Sequence, residues 1–156
     1  MIRFYSTRGA YGAFSNFSRH AVDLDGVIWP TTEHYFQAQK FIDPAHRERV
    51  RRAATPREAA ALGRSRDLPL RTDWESVKDD VMRRAVTAKF TMHPDLRTLL
   101  LGTGDEELVE DSPYDSYWGT GPTGTGLNRL GTVLMEVREG LSRVVRLEAH
   151  AAGPSV

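Results

Sequence analysis

The chain has 156 residues, of which 40% are hydrophobic, and its 21 basic and 21 acidic side chains give a formal net charge of zero. This length and composition suit one domain with one hydrophobic core. Because proteins that coat duplex DNA through its phosphates are usually basic, the balanced charge disfavours that function. The sequence contains no cysteine, so disulfides, thiol nucleophiles and cysteine metal sites are excluded.

No targeting or membrane segment is evident in the sequence. Residues 1–5 lack the long apolar region of a signal peptide, and no apolar run approaches the roughly 20 residues that span a bilayer. We therefore expect a soluble, cytoplasmic protein without a membrane partner, in agreement with the absence of cysteine.

The N-terminal part of the chain predicts a small antiparallel sheet followed by a helix. Ile2–Tyr5 is a short β-type run, and Val22–Leu24 and Val27–Trp29 flank an Asp25-Gly26 pair. Asp-Gly readily takes the positive φ angles of a two-residue hairpin turn, so these two strands should pair. Either of the next two threonines can cap the helix that follows.

The remainder of the chain predicts helices. They are an arginine-rich helix over 44–54, a helix over 55–63 with a Thr-Pro-Arg-Glu capping box and a terminal glycine, a long helix over 74–92 capped by Asp73, a short helix over 95–101 and a final helix over 127–141. Leu108-Val109 is a candidate strand, and residues 149–156 predict a loose tail. The expected fold class is α+β, a mainly helical single domain over 1–145 with a small antiparallel sheet, and a C-terminal tail over 146–156.

The run 32–41 carries charged groups among aromatic rings. Read as a helix at about 100° per residue, it places Glu33, Gln37 and Lys40 on one stripe, with Phe36 and Phe41 beside it. Surface faces are rarely built in this way. Such a stripe either buries a structural ion pair or lines a pocket in which the charges are used, and the residues alone leave both interpretations open.

A second anomaly is Lys89 in the long predicted helix. It falls in register with the apolar stripe, four residues after Ala85 and seven after Met82. A lysine at such a position either snorkels to solvent at the helix end or keeps its amine in a pocket. In a pocket, desolvation would lower the pKa of the amine, as a nucleophilic lysine requires.

The segment 110–126 combines acidic, aromatic and glycine residues. Its acidic cluster beside three aromatic rings suits a pocket for a sugar or a base. Glycines at 119, 121, 124 and 126 would let backbone N–H groups approach a phosphate ahead of the last helix, although a flexible loop is the alternative. The Gly-Lys-Ser/Thr ending of a Walker loop is missing. The histidines lack ligand spacing, so no metal or other cofactor is predicted.

Four sequence blocks resemble the NADAR family, which is named for NAD and ADP-ribose and includes the YbiA-like riboflavin-intermediate N-glycosidases. The blocks are 15–17 (Ser-Asn-Phe), 30–41, 89–90 (Lys-Phe), and 115–119 leading to 126–131, and they occur in the expected order between about residues 3 and 140. The resemblance implies a compact α+β fold of the NADAR/YbiA type. It also implies hydrolysis of an N-glycosidic bond between ribose and a base or a base-like amine.

The resemblance further implies which residues act. The expected catalytic residues are Glu33, which corresponds to the family's acid/base glutamate, Lys40 and Lys89, which correspond to its lysines, and Asp115 of its acidic block. Substrate contacts are expected from Ser15, Asn16, Phe17, Trp74, Asp111, Trp118, Gly119, Gly121, Gly126 and Asn128. Two routes stay open: a glutamate with a raised pKa protonates the leaving nitrogen, or a lysine forms a Schiff base with the sugar.

Two substrate classes are attached to such proteins. One comprises early riboflavin-pathway intermediates, which carry ribose 5-phosphate on a pyrimidine amine. The other is ADP-ribose linked to guanine in DNA or RNA, whose removal reverses the ADP-ribosylation. The alternative from a different class is a non-catalytic sensor module that binds ADP-ribose or NAD through the glycine loop and Trp118 and does not need Glu33.

Overall fold

The computed structural model describes residues 1–153. Its strands are β1 (Ile2–Phe4), β2 (Val22–Leu24), β3 (Val27–Trp29) and β4 (Leu108–Glu110). Its helices are α1 (Thr32–Ala38), α2 (Pro44–Arg51), α3 (Pro56–Arg64), α4 (Trp74–Met92), α5 (Pro94–Leu101) and α6 (Arg129–Ala151), with a 3₁₀ turn at Gly12–Phe14. This mainly helical arrangement with short strands confirms the predicted α+β class.

The predicted hairpin is confirmed. Strands β2 and β3 pair antiparallel, with Val22 opposite Trp29. The turn between them has positive φ at both positions, 60° at Asp25 and 76° at Gly26, as this type of two-residue turn requires. Strand β2 packs against α4 and so fixes the hairpin on the helical layer.

A second, parallel pair of strands was not predicted from the sequence. Strand β1 pairs with β4 in parallel, with Ile2 opposite Leu108 and Phe4 opposite Glu110. Parallel strands need a long crossover, and here α1 to α5 all lie between the two strands in the chain. No local turn signal can therefore reveal the pairing. The pairing holds Glu110, the last residue of β4, beside the end of β1.

Two helix ends near the predicted charged stripe differ from expectation. Helix α1 ends at Ala38, so Lys40 lies just beyond the helix rather than on its face. Helix α3 continues to Arg64, so Gly63 does not end it. A Cβ at Gly63 would meet the side-chain oxygen of Gln37 at 1.8 Å. The glycine is therefore explained by the close approach of α1 and α3.

The start of α4 and the end of α6 also differ from expectation. Asp73 precedes α4 but makes no capping bond with its side chain, because its carboxylate binds Arg71 at 2.6 Å. Helix α6 continues past the predicted end at Leu141 to Ala151, so residues 146–151 of the expected tail are helical. Residues 154–156 of that tail lie outside the described residues.

Helix α4 lies at the centre of the fold. It contacts α1, α5, α6 and β2. Its buried Met82 and Phe90 belong to a core cluster that extends from Phe4 to Leu141. Lys89 is buried in the same helix, with 1% of its surface exposed. No helix of the described residues is long and apolar enough to cross a membrane.

Candidate active site

A cavity of about 600 Å³ opens between α1, the end of α3 and the loops that follow β1 and β4. Its carboxyl, basic and glutamine side chains are Glu33, Gln37, Lys40, Arg64, Glu110 and Asp115. Its aromatic and apolar side chains include Phe17, Phe36, Met82, Tyr114 and Trp118. Charged groups from three separate segments therefore converge on one sugar-sized space.

Glu33 lies in the first turn of α1, where its backbone N–H donates to Asn16 O at 3.2 Å. The side chain is buried, and its Oε1 accepts a hydrogen bond from Gln37 Nε2 at 2.7 Å. Burial raises the pKa of Glu33, while the Gln37 hydrogen bond and the charge of Lys40 oppose the shift. Of the two interpretations of the charged stripe, the structure favours the pocket.

Lys40 presents its amine to the same cavity from just beyond α1. Burial lowers the pKa of this amine to about 8, and the charge of Glu33 opposes the shift. The amine lies 5.7 Å from the centre of the Phe36 ring. A lysine in this state is partly neutral near neutral pH, which a nucleophilic amine requires.

Two further carboxyl groups come from the region of β4. Burial, then the charges of Asp115 and Glu33, raise the pKa of Glu110 to about 8. Asp115 Oδ1 accepts backbone N–H bonds from Tyr117 at 2.9 Å and Trp118 at 2.8 Å. These bonds hold residues 115–118 at the cavity. There the Trp118 ring packs edge-on against Phe36, with 5.3 Å between the ring centres.

Sequence reasoning selected Asp111 and missed its neighbour Glu110. Asp111 does not line the cavity; its carboxylate is about half exposed and binds Arg3 at 3.1 Å and Thr120 at 3.0 Å. Successive side chains of an extended chain point to opposite sides. Extending the candidate strand at Leu108-Val109 by one residue would have placed the side chains of Glu110 and Asp111 on opposite sides of the chain, and so distinguished them.

Arg64 is a second residue that sequence reasoning did not select. It is the last residue of α3 and lines the cavity. Its guanidinium forms no salt bridge with any residue between 1 and 153. An exposed arginine without a partner at the edge of a cavity is suited to bind a phosphate or a carboxylate.

Four of the predicted substrate contacts line the cavity as expected, namely Ser15, Asn16, Phe17 and Trp118. Asn16 is buried and accepts a hydrogen bond from Thr32 Oγ1 at 2.9 Å. This contact joins the 15–17 block to the start of α1. The first two sequence blocks therefore form one wall.

Lys89 does not line the cavity. Its amine is buried behind the wall and donates to Ser15 O at 2.9 Å. Burial lowers the pKa of this amine to about 7. The amine therefore does not snorkel to solvent, and its position supports the wall rather than reaching a substrate. Trp74 is likewise buried, behind Phe36, with 5.2 Å between the ring centres.

The four glycines at 119, 121, 124 and 126 also lie outside the cavity. The N–H groups of Gly121 and Gly126 donate to Ser112 O at 2.9 Å and Thr120 O at 2.7 Å, so they are not free for a phosphate. A Cβ at Gly119 would meet Glu110 O at 2.8 Å, and one at Gly126 would meet Gly119 O at 2.4 Å. Gly119 and Gly126 therefore allow close packing of the loop, and the predicted phosphate cradle does not describe them.

Asn128 does not line the cavity but forms hydrogen bonds with β4. It precedes α6 with a positive φ of 51°. Its side chain accepts from Glu110 N at 2.9 Å and donates to Leu108 O at 2.9 Å. Asn128 therefore continues the hydrogen bonding of β4 and positions Glu110. Among the described residues, no cluster of side chains is arranged to hold a metal ion.

The fold and the cavity define a small α+β domain built around a cleft with several carboxyl groups. The NADAR domain model matches residues 3–142. The chain belongs to the NADAR family, as its four sequence blocks predicted.

The relatives that match carry names of two kinds. N-glycosidase YbiA of Escherichia coli K12 is 55% identical over 142 residues, 91% of this chain and 89% of that protein. N-glycosidase Npun_R5314 of Nostoc punctiforme is 51% identical over 94% of this chain and 96% of its own length. The riboflavin biosynthesis protein PYRR of Zea mays is 44% identical over 96% of this chain, which corresponds to 26% of that longer protein.

A solved structure shares the fold. The NMR structure of the E. coli protein YbiA superimposes with a TM-score of 0.88 and 54% sequence identity, covering 96% of this chain and 88% of that one. The prediction of an enzyme that hydrolyses N-glycosyl bonds agrees with the names of these relatives.

Proposed function

We propose that this protein is an N-glycosidase that hydrolyses the N-ribosidic bond of ribose-phosphate conjugates, with early riboflavin-pathway intermediates as its preferred class. The observation that carries this proposal is the cavity that brings Glu33, Glu110, Asp115 and Lys40 together. The names of the relatives, N-glycosidases and riboflavin biosynthesis proteins, support both the reaction and the substrate class.

The carboxyl groups supply what the reaction needs. Cleavage requires a proton on the leaving nitrogen and a negative charge near the developing positive charge at the anomeric carbon. A protonated and an ionised carboxyl group in one cavity provide both. Proton transfer of this kind contributes on the order of 10²- to 10⁴-fold to the rate.

Lys40 offers a second route through a covalent intermediate. Its neutral amine would attack C1′ of the ring-opened riboside, which is an imine of the leaving amine, and the adduct would expel that amine and leave a Schiff base on Lys40. A water molecule then hydrolyses the Schiff base to the free sugar and the free lysine. Of the two lysines that the family resemblance indicated, Lys40 is the one that lines the cavity. We therefore assign any covalent role to Lys40 and not to Lys89.

The arrangement of charge also supports a phosphorylated substrate. Arg64 lines the cavity together with the carboxyl groups of Glu110 and Asp115, which come from the region of β4. A ribose phosphate bound with its phosphate on Arg64 would pair that anion with a cation in a cavity that otherwise holds several acids.

ADP-ribose linked to guanine in DNA or RNA is a second candidate substrate. The aromatic side chains of Tyr5, Phe17 and Tyr114 line the cavity and are exposed, Tyr114 by 83%. Exposed rings at a cavity mouth can stack on bases that extend beyond it. This candidate would make nucleic acid a partner of the same site.

A product assay with the two substrate classes side by side tests the proposal. We expect release of the pyrimidine amine from riboflavin-pathway intermediates at a higher kcat/KM than release of guanine from an ADP-ribosylated oligonucleotide. The reverse order of kcat/KM values would make ADP-ribosylated guanine the preferred substrate class.

The Glu33→Gln variant separates an enzyme from a sensor module. We expect it to bind ribose 5-phosphate or ADP-ribose while turnover falls by on the order of 10²-fold or more. Glu148→Gln, an exposed change in α6, is the matched control and should leave both unchanged. Unchanged binding without any turnover in the unaltered protein would instead favour the sensor.

A further inference from the structure

Glu110 is a carboxyl group whose surroundings differ from those of the other acids in the cavity. Its backbone N–H donates to Asn128 Oδ1, and its place at the end of β4 fixes it in the cavity wall. Its Oε2 atom is buried and has no hydrogen-bond partner among residues 1–153. A buried carboxyl oxygen without a donor or a cation is poorly suited to carry negative charge.

The other two acids have partners that favour the ionised form. Glu33 accepts a hydrogen bond from Gln37 and is attracted by the charge of Lys40. Asp115 accepts two backbone N–H bonds. Hydrogen bonds donated to a carboxylate stabilise its charge, so a proton shared within this group of acids should lie on Glu110.

The pKa of Glu110 agrees with this geometry. Burial, then the charges of Asp115 and Glu33, raise this pKa to about 8. Burial also raises the pKa of Glu33; the Gln37 hydrogen bond and the charge of Lys40 reduce this shift without reversing it, so it is the missing partner of Glu110 Oε2 that separates the two glutamates. Near neutral pH, Glu110 is therefore mainly in its acid form.

We infer that Glu110 is the general acid of the site and donates its carboxyl proton to the leaving nitrogen, while Glu33 remains ionised and accepts a proton from water. The inference rests on the proposed N-glycosidase function. It deepens that function by separating the roles of two glutamates, since environments that differ in this way assign the acid and the base.

The step balances without any further reactant. The electron pair of the bond between C1′ and nitrogen goes to the nitrogen as the bond breaks, and the nitrogen takes the proton of Glu110. The oxygen of water bonds to C1′, and the proton that water loses passes to Glu33. The products are the free sugar and the free amine, and transfer of the proton from Glu33 to Glu110 restores the site.

An NMR titration of the resting protein tests where the proton lies. With glutamate side chains labelled with ¹³C at the carboxyl carbon, we expect one signal to titrate near pH 8, to be absent in Glu110→Gln and to persist in the control Glu107→Gln. The other titratable and charged side chains that line the cavity with Glu110 are Tyr5, Glu33, Lys40, Arg64, Tyr114 and Asp115. Titration of Glu110 in the ordinary acidic range would overturn the inference.

Kinetics with two leaving groups test whether that proton is used. On a ribosylamine 5-phosphate, Glu110→Gln should lose on the order of 10²- to 10⁴-fold in kcat. On p-nitrophenyl riboside 5-phosphate, whose leaving group departs without protonation, the loss should be less than about tenfold. Glu33→Gln should lose activity on both substrates, and Glu107→Gln on neither.

The two experiments fail in different ways. An equal loss on both substrates in Glu110→Gln would refute the assignment of Glu110 as the acid while leaving the glycosidase function intact. Absence of turnover by the unaltered protein on any ribosylamine would refute the proposed function, and the titration, which needs no substrate, would still decide where the proton lies. A melting curve of Glu110→Gln checks that the variant is folded.

Discussion

The amine of Lys89 donates a hydrogen bond to the backbone carbonyl of Ser15 at 2.9 Å and ties the buried centre of α4 to one wall of the cavity. Ser15 and the adjoining Asn16 line the cavity, whereas Lys89 does not. Lys89, which matches the family pattern, therefore contacts the cavity wall from its buried side.

Replacing Lys89 with methionine should weaken substrate binding more than the chemical step. The carbonyl of Ser15 loses a hydrogen-bond donor worth about 0.5–1.5 kcal/mol, and the wall it belongs to can shift. We expect KM to rise on the order of tenfold or more, with a smaller change in kcat, in steady-state assays. Asp80→Asn, on the same helix, with its side chain 81% exposed and outside the cavity, is the control. A large loss in kcat at constant KM would instead place the Lys89 amine in the reaction.

Lys89 also predicts a dependence of stability on pH. Burial lowers the pKa of its amine from 10.5 to about 7 in the folded protein. Between these pKa values the folded state binds fewer protons than the unfolded state, so the free energy of unfolding rises with pH in this window. Below it, the full free-energy cost of burying the charged amine lowers stability. Relative to Lys89→Met, the unaltered protein should gain a few kcal/mol in the free energy of unfolding between about pH 6 and pH 10. Urea denaturation at each pH measures the difference, and a constant difference would contradict it.

Lys40 is the amine at which the covalent route, the alternative to direct attack by water, would form a sugar adduct. On that route, reduction with borohydride during turnover should trap the Schiff base on Lys40, and peptide mass spectrometry should find no adduct on Lys89. The Lys89→Met variant should still form the adduct, while Lys40→Met should not. A spectrum without any adduct would leave direct attack by water as the route.

Arg64 should determine the preference for phosphorylated substrates. Without the guanidinium, a phosphate loses a charge-assisted hydrogen bond worth about 1.5–3 kcal/mol. We expect Arg64→Ala to raise KM about 10- to 100-fold for a ribose 5-phosphate conjugate and to leave KM for the dephosphorylated conjugate unchanged. Arg57→Ala, exposed on the same helix, is the matched control. An equal effect on both substrates would show that Arg64 does not bind the phosphate.

Gly126 should tolerate no side chain. A Cβ there would meet Gly119 O at 2.4 Å and Ser116 Cα at 2.8 Å, and such overpacking costs about 1–3 kcal/mol. Gly140, within α6, has no atom within 4 Å of an added Cβ, so Gly140→Ala should instead stabilise by about 0.5–1 kcal/mol. Chemical denaturation of the two variants measures both changes. An unchanged stability of Gly126→Ala would show that the loop can rearrange.

Local signals explain what the sequence predicted correctly. The Asp25-Gly26 pair dictates its own turn geometry, and Thr55 with Glu58 marks the start of α3 through bonds within one helical turn. Glu33 and Gln37 meet because they are one turn apart on α1. In each case, neighbours in the chain are also neighbours in space.

What the sequence did not reveal depends on contacts between distant segments. The pairing of β1 with β4 and the arrival of Arg64 at the cavity have no local signature. The choice between Asp111 and Glu110 required knowledge of which side of β4 is covered. The glycines were misread because a glycine that admits a phosphate and one that admits another stretch of backbone look alike in sequence.

The pairing of β1 with β4 has a consequence for the way this protein becomes active. Glu110 is held by its pairing with Phe4 of β1. During synthesis, β1 leaves the ribosome long before β4 exists, so the cavity can be completed only after β4 has emerged.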